Sequence, residues 1–283
     1  MTDLPATLLA YEPQLRLAAF LGILAAMVLW ELAAPKRRQE IPKVLRWSNN
    51  IALVVLDTVL LRLSFPFLAV GLAGWAEQNG WGLFNILAVP SWLAIVASLL
   101  ILDLAIYLQH VMFHAVPLLW RLHRMHHADL EFDATTGLRF HPLEILLSMA
   151  IKLAIVALIG PPAVAVLLFE ILLNGTALFN HGNIRLPVGV ERVLRIIVVT
   201  PDMHRVHHST NPREANSNFG FNLPWWDRLL GTYMDAPALG HQGMQIGTDR
   251  FRTRRDLWLD KLLTQPFRQG KADAEETPPP PNS

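Results

Sequence analysis

Between Leu15 and Phe179 the chain carries runs of apolar sequence too long and too poor in charge to sit on a water-exposed surface. A helix needs roughly 20 mostly apolar residues to cross the hydrocarbon core of a bilayer, at about 1.5 Å of rise per residue. Leu15 to Ala34 meets that requirement, with Arg16 and Glu31 near its ends. Ile51 to Trp75 meets it with Asp57 and Arg62 inside, and Ser91 to Gln109 with Asp103 as its single charge. Leu143 to Phe179 is too long for one crossing and holds Gly160-Pro161-Pro162 near its middle. A Gly-Pro-Pro break ends one helix and starts another, so two helices joined by a tight turn are expected there. The pattern predicts an all-α, polytopic membrane protein with about five transmembrane helices. Composition agrees: 17% of residues are charged and the mean hydropathy is +0.32, against about 25% charge in a soluble domain.

Acidic Asp3 and Glu12 precede the first run and basic residues follow it, the reverse of a signal peptide. Lys36, Arg37, Arg38, Lys43 and Arg46 crowd the loop after that run, whereas residues 76–90 hold no Lys or Arg. By the positive-inside rule the chain starts outside, and residues 110–142 and 180–270 share the cytoplasmic side as a histidine-rich helical cap. Residues 187–200 have an amphipathic pattern suited to the interface, and 250–269 read as a basic helix containing Trp258. The acidic, proline-rich 270–283 reads as a disordered tail. With 24 Lys+Arg against 23 Asp+Glu, no bulk positive charge exists for nucleic acid. The absence of cysteine removes disulfides, thiolate metal sites and a cysteine nucleophile.

Eight of the 11 histidines fall in three short runs. His110 and His114 are spaced i, i+4; His123, His126 and His127 are spaced i, i+3, i+4; His204, His207 and His208 repeat that spacing. On a helix such positions share one face, so each run is a ready multidentate donor of imidazole nitrogen. A lone histidine is ordinarily a satisfied surface or core residue, but eight at ligand spacing beside a membrane, without a cation, would leave many polar atoms unpaired. Eight exceed what one metal takes and suit two with open positions. Imidazole accepts zinc, copper, iron or nickel, so the ligand type alone does not name the metal.

The three runs, with Leu119-Trp120-Arg121-Leu122, Arg139-Phe140-His141-Pro142-Leu143-Glu144, Thr200-Pro201-Asp202-Met203 and Trp226-Asp227-Arg228-Leu229-Leu230-Gly231-Thr232-Tyr233, resemble the histidine boxes of the fatty acid hydroxylase/sterol desaturase superfamily. The likeness runs from about Asp103 to Tyr233. It implies a binuclear iron centre at the cytoplasmic membrane surface that uses dioxygen to oxidise C–H bonds of lipids. It further implies that the eight box histidines are ligands, and it matches His181 to another family histidine placed just after a span. His141, Asn180 and water are the candidates for a tenth position, His141 being equally suited to supporting a ligand from behind. The division expected is 1–90 for N-terminal membrane helices, 91–235 for the catalytic domain, 236–269 for a cytoplasmic helical segment and 270–283 for the tail.

An intramembrane carboxylate is a functional suspect. Asp103 lies seven residues before His110, and either a ligand histidine or a neighbouring span is its expected partner. Lys152 and Glu170 stand eight residues either side of the Gly160–Pro162 turn and read as an ion pair, with Asp57 and Arg62 as similar compensation. Trp225-Trp226 reads as an interfacial anchor and His241 as a surface residue. Reducing dioxygen fully takes four electrons, two from the substrate and two from a donor. The sequence has no His-Pro-Gly-Gly haem run and no GxGxxG loop, so an external electron-transfer protein or reductase is expected, with Arg250–Arg255 as a docking stretch or a lipid anchor. Two rival classes are a histidine-lined metal transporter, disfavoured because the boxes lie outside the spans, and a membrane zinc hydrolase, disfavoured because no HExxH occurs. Nineteen Arg against five Lys point to a bacterial inner membrane. Hydroxylation and desaturation diverge only after the first hydrogen is removed, and fatty acyl groups, sterols, carotenoids and alkylglycerols all suit the site.

Overall fold

The computed structural model describes residues 4–270, so the expected disordered tail lies outside the described residues save for Gly270. Among the described residues the chain is all-helical, without a β-strand, and five segments are long and apolar enough to cross a membrane: Glu12–Ala33, Lys43–Ile86, Ser91–Ala115, Pro142–Ile159 and Ala163–Asn180. By these helices it is a multi-pass membrane protein. We label the helices α1 (Glu12–Ala33), α2 (Lys43–Ser64), α3 (Ala69–Gln78), α4 (Ser91–Ala115), α5 (Pro117–His127), α6 (Pro142–Ile159), α7 (Ala163–Asn180), α8 (Val188–Ile197), α9 (Pro201–His207) and α10 (Trp225–Leu230).

The second crossing differs from the single run expected at Ile51–Trp75. α2 starts at Lys43, stops at Ser64 before Pro66, and α3 resumes at Ala69. Proline has no N–H to give and its ring clashes with the preceding turn, which breaks the helix there. At its other end α2 runs past the apolar stretch because its polar first turns are satisfied: fully buried Arg46 pairs with Asp129 and Asp133, and Asn50 donates to Thr135. The expected hairpin is present. α6 ends at Ile159, Gly160 takes a left-handed φ of 59°, and α7 begins after Pro162. A Cβ at Gly160 would lie 2.3 Å from the Trp81 carbonyl, so no larger residue fits the close approach of the Trp81 loop.

α7 is the central helix, packed on α1, α3 and α4, with Phe169, Val166 and Leu178 fully buried. The ends of α1, α4 and α7 and the starts of α2 and α6 meet at one end of the bundle. Glu31, near the end of α1, accepts from the backbone N–H groups of Ala134 (2.7 Å) and Asn183 (2.8 Å), tying the two loops that flank the histidines. α8 leaves Val188, Val193 and Ile197 exposed, an amphipathic helix as expected. The stretch 250–269 is not one helix. It consists of short turns at Arg254–Leu257, Leu259–Thr264 and Gln265–Phe267, because Phe251 is left-handed (φ 61°), Trp258 is extended and Pro266 interrupts.

Candidate metal centre

Four segments bring the histidines together. α4 carries His110 and His114 on its last turns; Val116 is extended and Pro117 opens α5, which turns the chain back so that His123, His126 and His127 face them. His181 caps the end of α7. α9 is started by Thr200, whose hydroxyl accepts from the Met203 N–H, with Pro201 at its first position; it presents His204 and His207, and His208 follows.

Nine histidines form two groups, each with its ligand atoms within 4.8 Å of one another: His110, His114, His123, His127 and His207, and His126, His181, His204 and His208. Nε2 atoms oppose one another at 3.1 Å in His110–His123, His114–His127, His126–His181 and His181–His204. In His110–His207 they lie 2.9 Å apart. This last pair tests whether a metal fits. Nδ1 of His110 donates to the Phe219 carbonyl (2.8 Å) and Nδ1 of His207 to the Ser217 carbonyl (2.7 Å). A carbonyl only accepts, so each Nδ1 keeps the proton and each Nε2 presents a bare lone pair. Two lone pairs at 2.9 Å repel unless a cation lies between them. Donors bound at right angles to one ion, with bonds of roughly 2.1 Å, are about 3 Å apart, so these contacts fit a shared metal. Nδ1 of His181 likewise donates to the Ala177 carbonyl, at 2.8 Å. Both ring nitrogens of buried His208 lack a protein partner.

Burial, reinforced by the neighbouring imidazoles, holds His126, His127, His204, His207 and His208 well below the ordinary imidazole range, and burial brings His181 to about 3. The rings are therefore neutral at physiological pH, the form that binds a metal. The donor set is all nitrogen, and the redox-active metals that suit imidazole include iron and copper.

The remaining expected residues lie elsewhere. His141 is outside both groups: its Nδ1 accepts from the Leu143 N–H to cap α6, and its Nε2 meets the Leu263 carbonyl. Asn180 donates to the Phe221 carbonyl at 2.9 Å and leaves its buried Oδ1 without a partner. Asp103 binds neither a ligand histidine nor another span. It accepts from Asn222 Nδ2 and Trp226 Nε1, both at 2.8 Å, because its face of α4 meets the 222–226 loop. Trp226 is thereby a tether, while Trp225 stays exposed. Lys152 and Glu170 pair at 2.9 Å as expected, but Asp57 and Arg62 form no ion pair among the described residues, and Asp57 Oδ1 is buried without a partner. His241 is half-buried near Asp202 rather than free at the surface.

Residues 95–232 match the fatty acid hydroxylase family. Over that segment, just under half of the chain, the protein carries a fatty acid hydroxylase domain. The chain is 32% identical to an ornithine lipid hydroxylase of Rhizobium tropici over 148 residues, 52% of this chain and 44% of that protein. It is 29% identical to the human alkylglycerol monooxygenase over 136 residues, 46% and 28% of the two chains. Over 185 residues it is 28% identical to a fatty acid hydroxylase of a Lecanicillium species, 56% and 47% of the two chains. The chain thus spans less than half the length of these relatives. No solved structure matches it significantly.

Three features of this site were not read from the sequence. Glu144 holds His123 Nδ1 at 2.7 Å; it stood in the Arg139–Glu144 run without a role. Phe140, from the same run, stacks on His126 with ring centres 4.5 Å apart. Asp227 accepts from the Phe219 and Gly220 N–H groups, fixing the loop whose carbonyl takes His110. The third feature was hidden because a loop-pinning carboxylate has no periodicity. The structure also shows a cavity of about 480 Å³ between α1, α2, α4, α6 and α7. Phe140, Glu144, Gly137, Ala177 and Phe221 line its inner end, and all but Gly137 are in contact with a cluster histidine.

Proposed function

We propose that the protein is a membrane-embedded, non-haem di-iron oxygenase that hydroxylates a lipid. The observation that carries this reading is the cavity among the spans whose inner wall is built from residues touching the histidines. A lipid entering from the bilayer reaches the cluster without crossing water. Names of the relatives support hydroxylation over desaturation.

The nine histidines are the residues that would hold two irons, five around one and four around the other. The chemistry those ions supply when bound is reductive activation of dioxygen for attack on an unactivated C–H bond, which side chains alone cannot accomplish. The overall change is C–H plus dioxygen, two electrons and two protons to C–OH plus water. The protein's own residues orient and exclude. Glu144 fixes the tautomer and tilt of His123, as carboxylates behind metal-bound imidazoles do. Asp227 and Asp103 fix the 219–226 loop over the cluster. Phe140, Phe219 and Phe221 surround the imidazoles with apolar rings that keep water out.

The two electrons come from a separate donor protein or reductase. The cluster faces the cytoplasm of a bacterial cell, by the Lys and Arg in residues 36–46, and residues 91–235 form the catalytic part. The test is turnover under ¹⁸O₂ of the full chain in nanodiscs with a bacterial lipid extract, ferredoxin and its reductase. One labelled oxygen per product lipid, dependent on iron and reductant, is expected. No label in any lipid would overturn the reading.

A further inference from the structure

The cavity wall is unlike a groove for hydrocarbon. Glu12, Arg16, Asp57, Arg62, Lys152 and Glu170 all line it. Charged side chains within spans are costly and are kept where they face one another, a polar ligand or water. On the outer wall four of these charges compensate one another, while Arg62 is exposed and forms no ion pair among the described residues. Glu170 accepts from Lys152 at 2.9 Å and lies 3.1 Å from Arg16, which in turn pairs with Glu12 at 2.7 Å. Asp57 is not compensated. It is 7% exposed, its Oδ1 has no hydrogen-bond partner, and its charge is opposed by nearby Glu144. Glu144 is also the residue that holds His123, so the uncompensated carboxylate sits beside the inner end of the cavity. From Glu144 to Lys152 is eight residues of α6, about 12 Å. At about 480 Å³ the space suits a drug-sized group and is too small for a two-chain lipid.

We propose that the cavity admits the polar end of a single lipid first, with a protonated amine of the headgroup against Asp57, so that oxidation falls on the headgroup or the carbons next to it. Buried beside a second carboxylate, Asp57 must either hold a proton or face a cationic donor, and a protonated amine entering the cavity is the donor that lets it stay charged. The acyl chains then extend from the cavity mouth into the bilayer. This names a substrate class for the oxygenase reading and rests on it.

Binding orientation is tested without turnover. The full chain in phosphatidylcholine nanodiscs, under argon and without reductant, is irradiated with two twelve-carbon alkylamines. One carries a diazirine beside the amine, the other at the methyl end. The amine-side probe is expected to label peptides covering 54–62 and 144–152, and the methyl-end probe to leave them unlabelled. Unlabelled dodecylamine is expected to compete, whereas dodecanol and dodecanoate do not. Asp57→Asn is expected to cut the labelling at least tenfold and Asp57→Glu to keep most of it. Labelling of these peptides by the methyl-end probe, equal competition by dodecanol, or undiminished labelling in a folded Asp57→Asn variant would overturn the proposal. The competition arm uses the unmodified protein and so stands even where a variant does not fold. Product mapping separates the two readings. An ¹⁸O atom in the acyl chain away from the carbons next to the headgroup sinks the headgroup proposal and leaves the oxygenase, whereas label in no lipid sinks the oxygenase.

Discussion

Glu144, at the start of α6, accepts the Nδ1 proton of His123 at 2.7 Å, so a membrane span directly orients a ring of the histidine cluster. Second carboxylates of this kind typically contribute 10–100-fold to metal affinity. Glu144→Gln is therefore expected to weaken iron retention by that range with little loss of fold, read by iron content after dialysis against a graded chelator series. Retention equal to the unmodified protein would remove Glu144 from the centre.

Gly137 lies where a Cβ would sit 2.6 Å from the Ala177 carbonyl and 3.0 Å from His181 Nδ1. Backbone cannot yield cheaply at the end of α7, so the His181 ring must shift. Gly137→Ala is expected to lower metal content from about two ions per chain towards one while the helical circular dichroism is kept. Full loading would show that the four-histidine group tolerates displacement of His181.

Arg46 is fully buried between Asp129 and Asp133, and its guanidinium, with that of Arg139, holds Asp129 down at about 2 despite its burial. Removing one member of such a buried cluster leaves uncompensated charge, a cost of about 3–5 kcal/mol. Arg46→Met is expected to lower the melting temperature in detergent sharply, and Arg46→Lys to lower it less. A melting curve unchanged in Arg46→Met would mean the cluster adds no net stability.

Burial holds His241 down at about 4, below its unfolded value near 6.5. As pH falls through 6.5 the unfolded chain takes up a proton that the folded one refuses, so stability is lost between about 6.5 and 4 and levels below that. His241→Gln is expected to flatten this part of the stability curve. The comparison is of melting temperatures at pH 7 and pH 4.5; an equal drop in both proteins would contradict the assignment.

The orientation has its own check. Trypsin added to sealed inside-out vesicles is expected to cut near exposed Arg255, between residues 240 and 270. Cleavage only in right-side-out vesicles would reverse the topology.

Much of this was legible in the chain because two periodicities carry it. Apolar runs of span length gave the crossings, and i, i+3, i+4 histidines gave the ligand faces, including the convergence of 110–142 and 180–208 on one end of the bundle. What was not legible depends on contacts far apart in sequence. The start of α2 at Lys43 follows from Arg46 meeting Asp129 and Asp133 more than 80 residues away. Asp103 was placed on the correct helix, but its partners, Asn222 and Trp226, lie in a loop without a repeating pattern. The cavity is legible only once five helices are packed; its charges read as separate ion pairs, Lys152 with Glu170 and Asp57 with Arg62, rather than as one shared wall.

The most direct measurement is iron per chain in the unmodified protein and in His207→Ala and His204→Ala, which remove one ligand from each group. The account predicts about two irons falling to about one in either variant, with lipid oxidation abolished in both. One iron or fewer in the unmodified protein, or two irons retained in both variants, would contradict it.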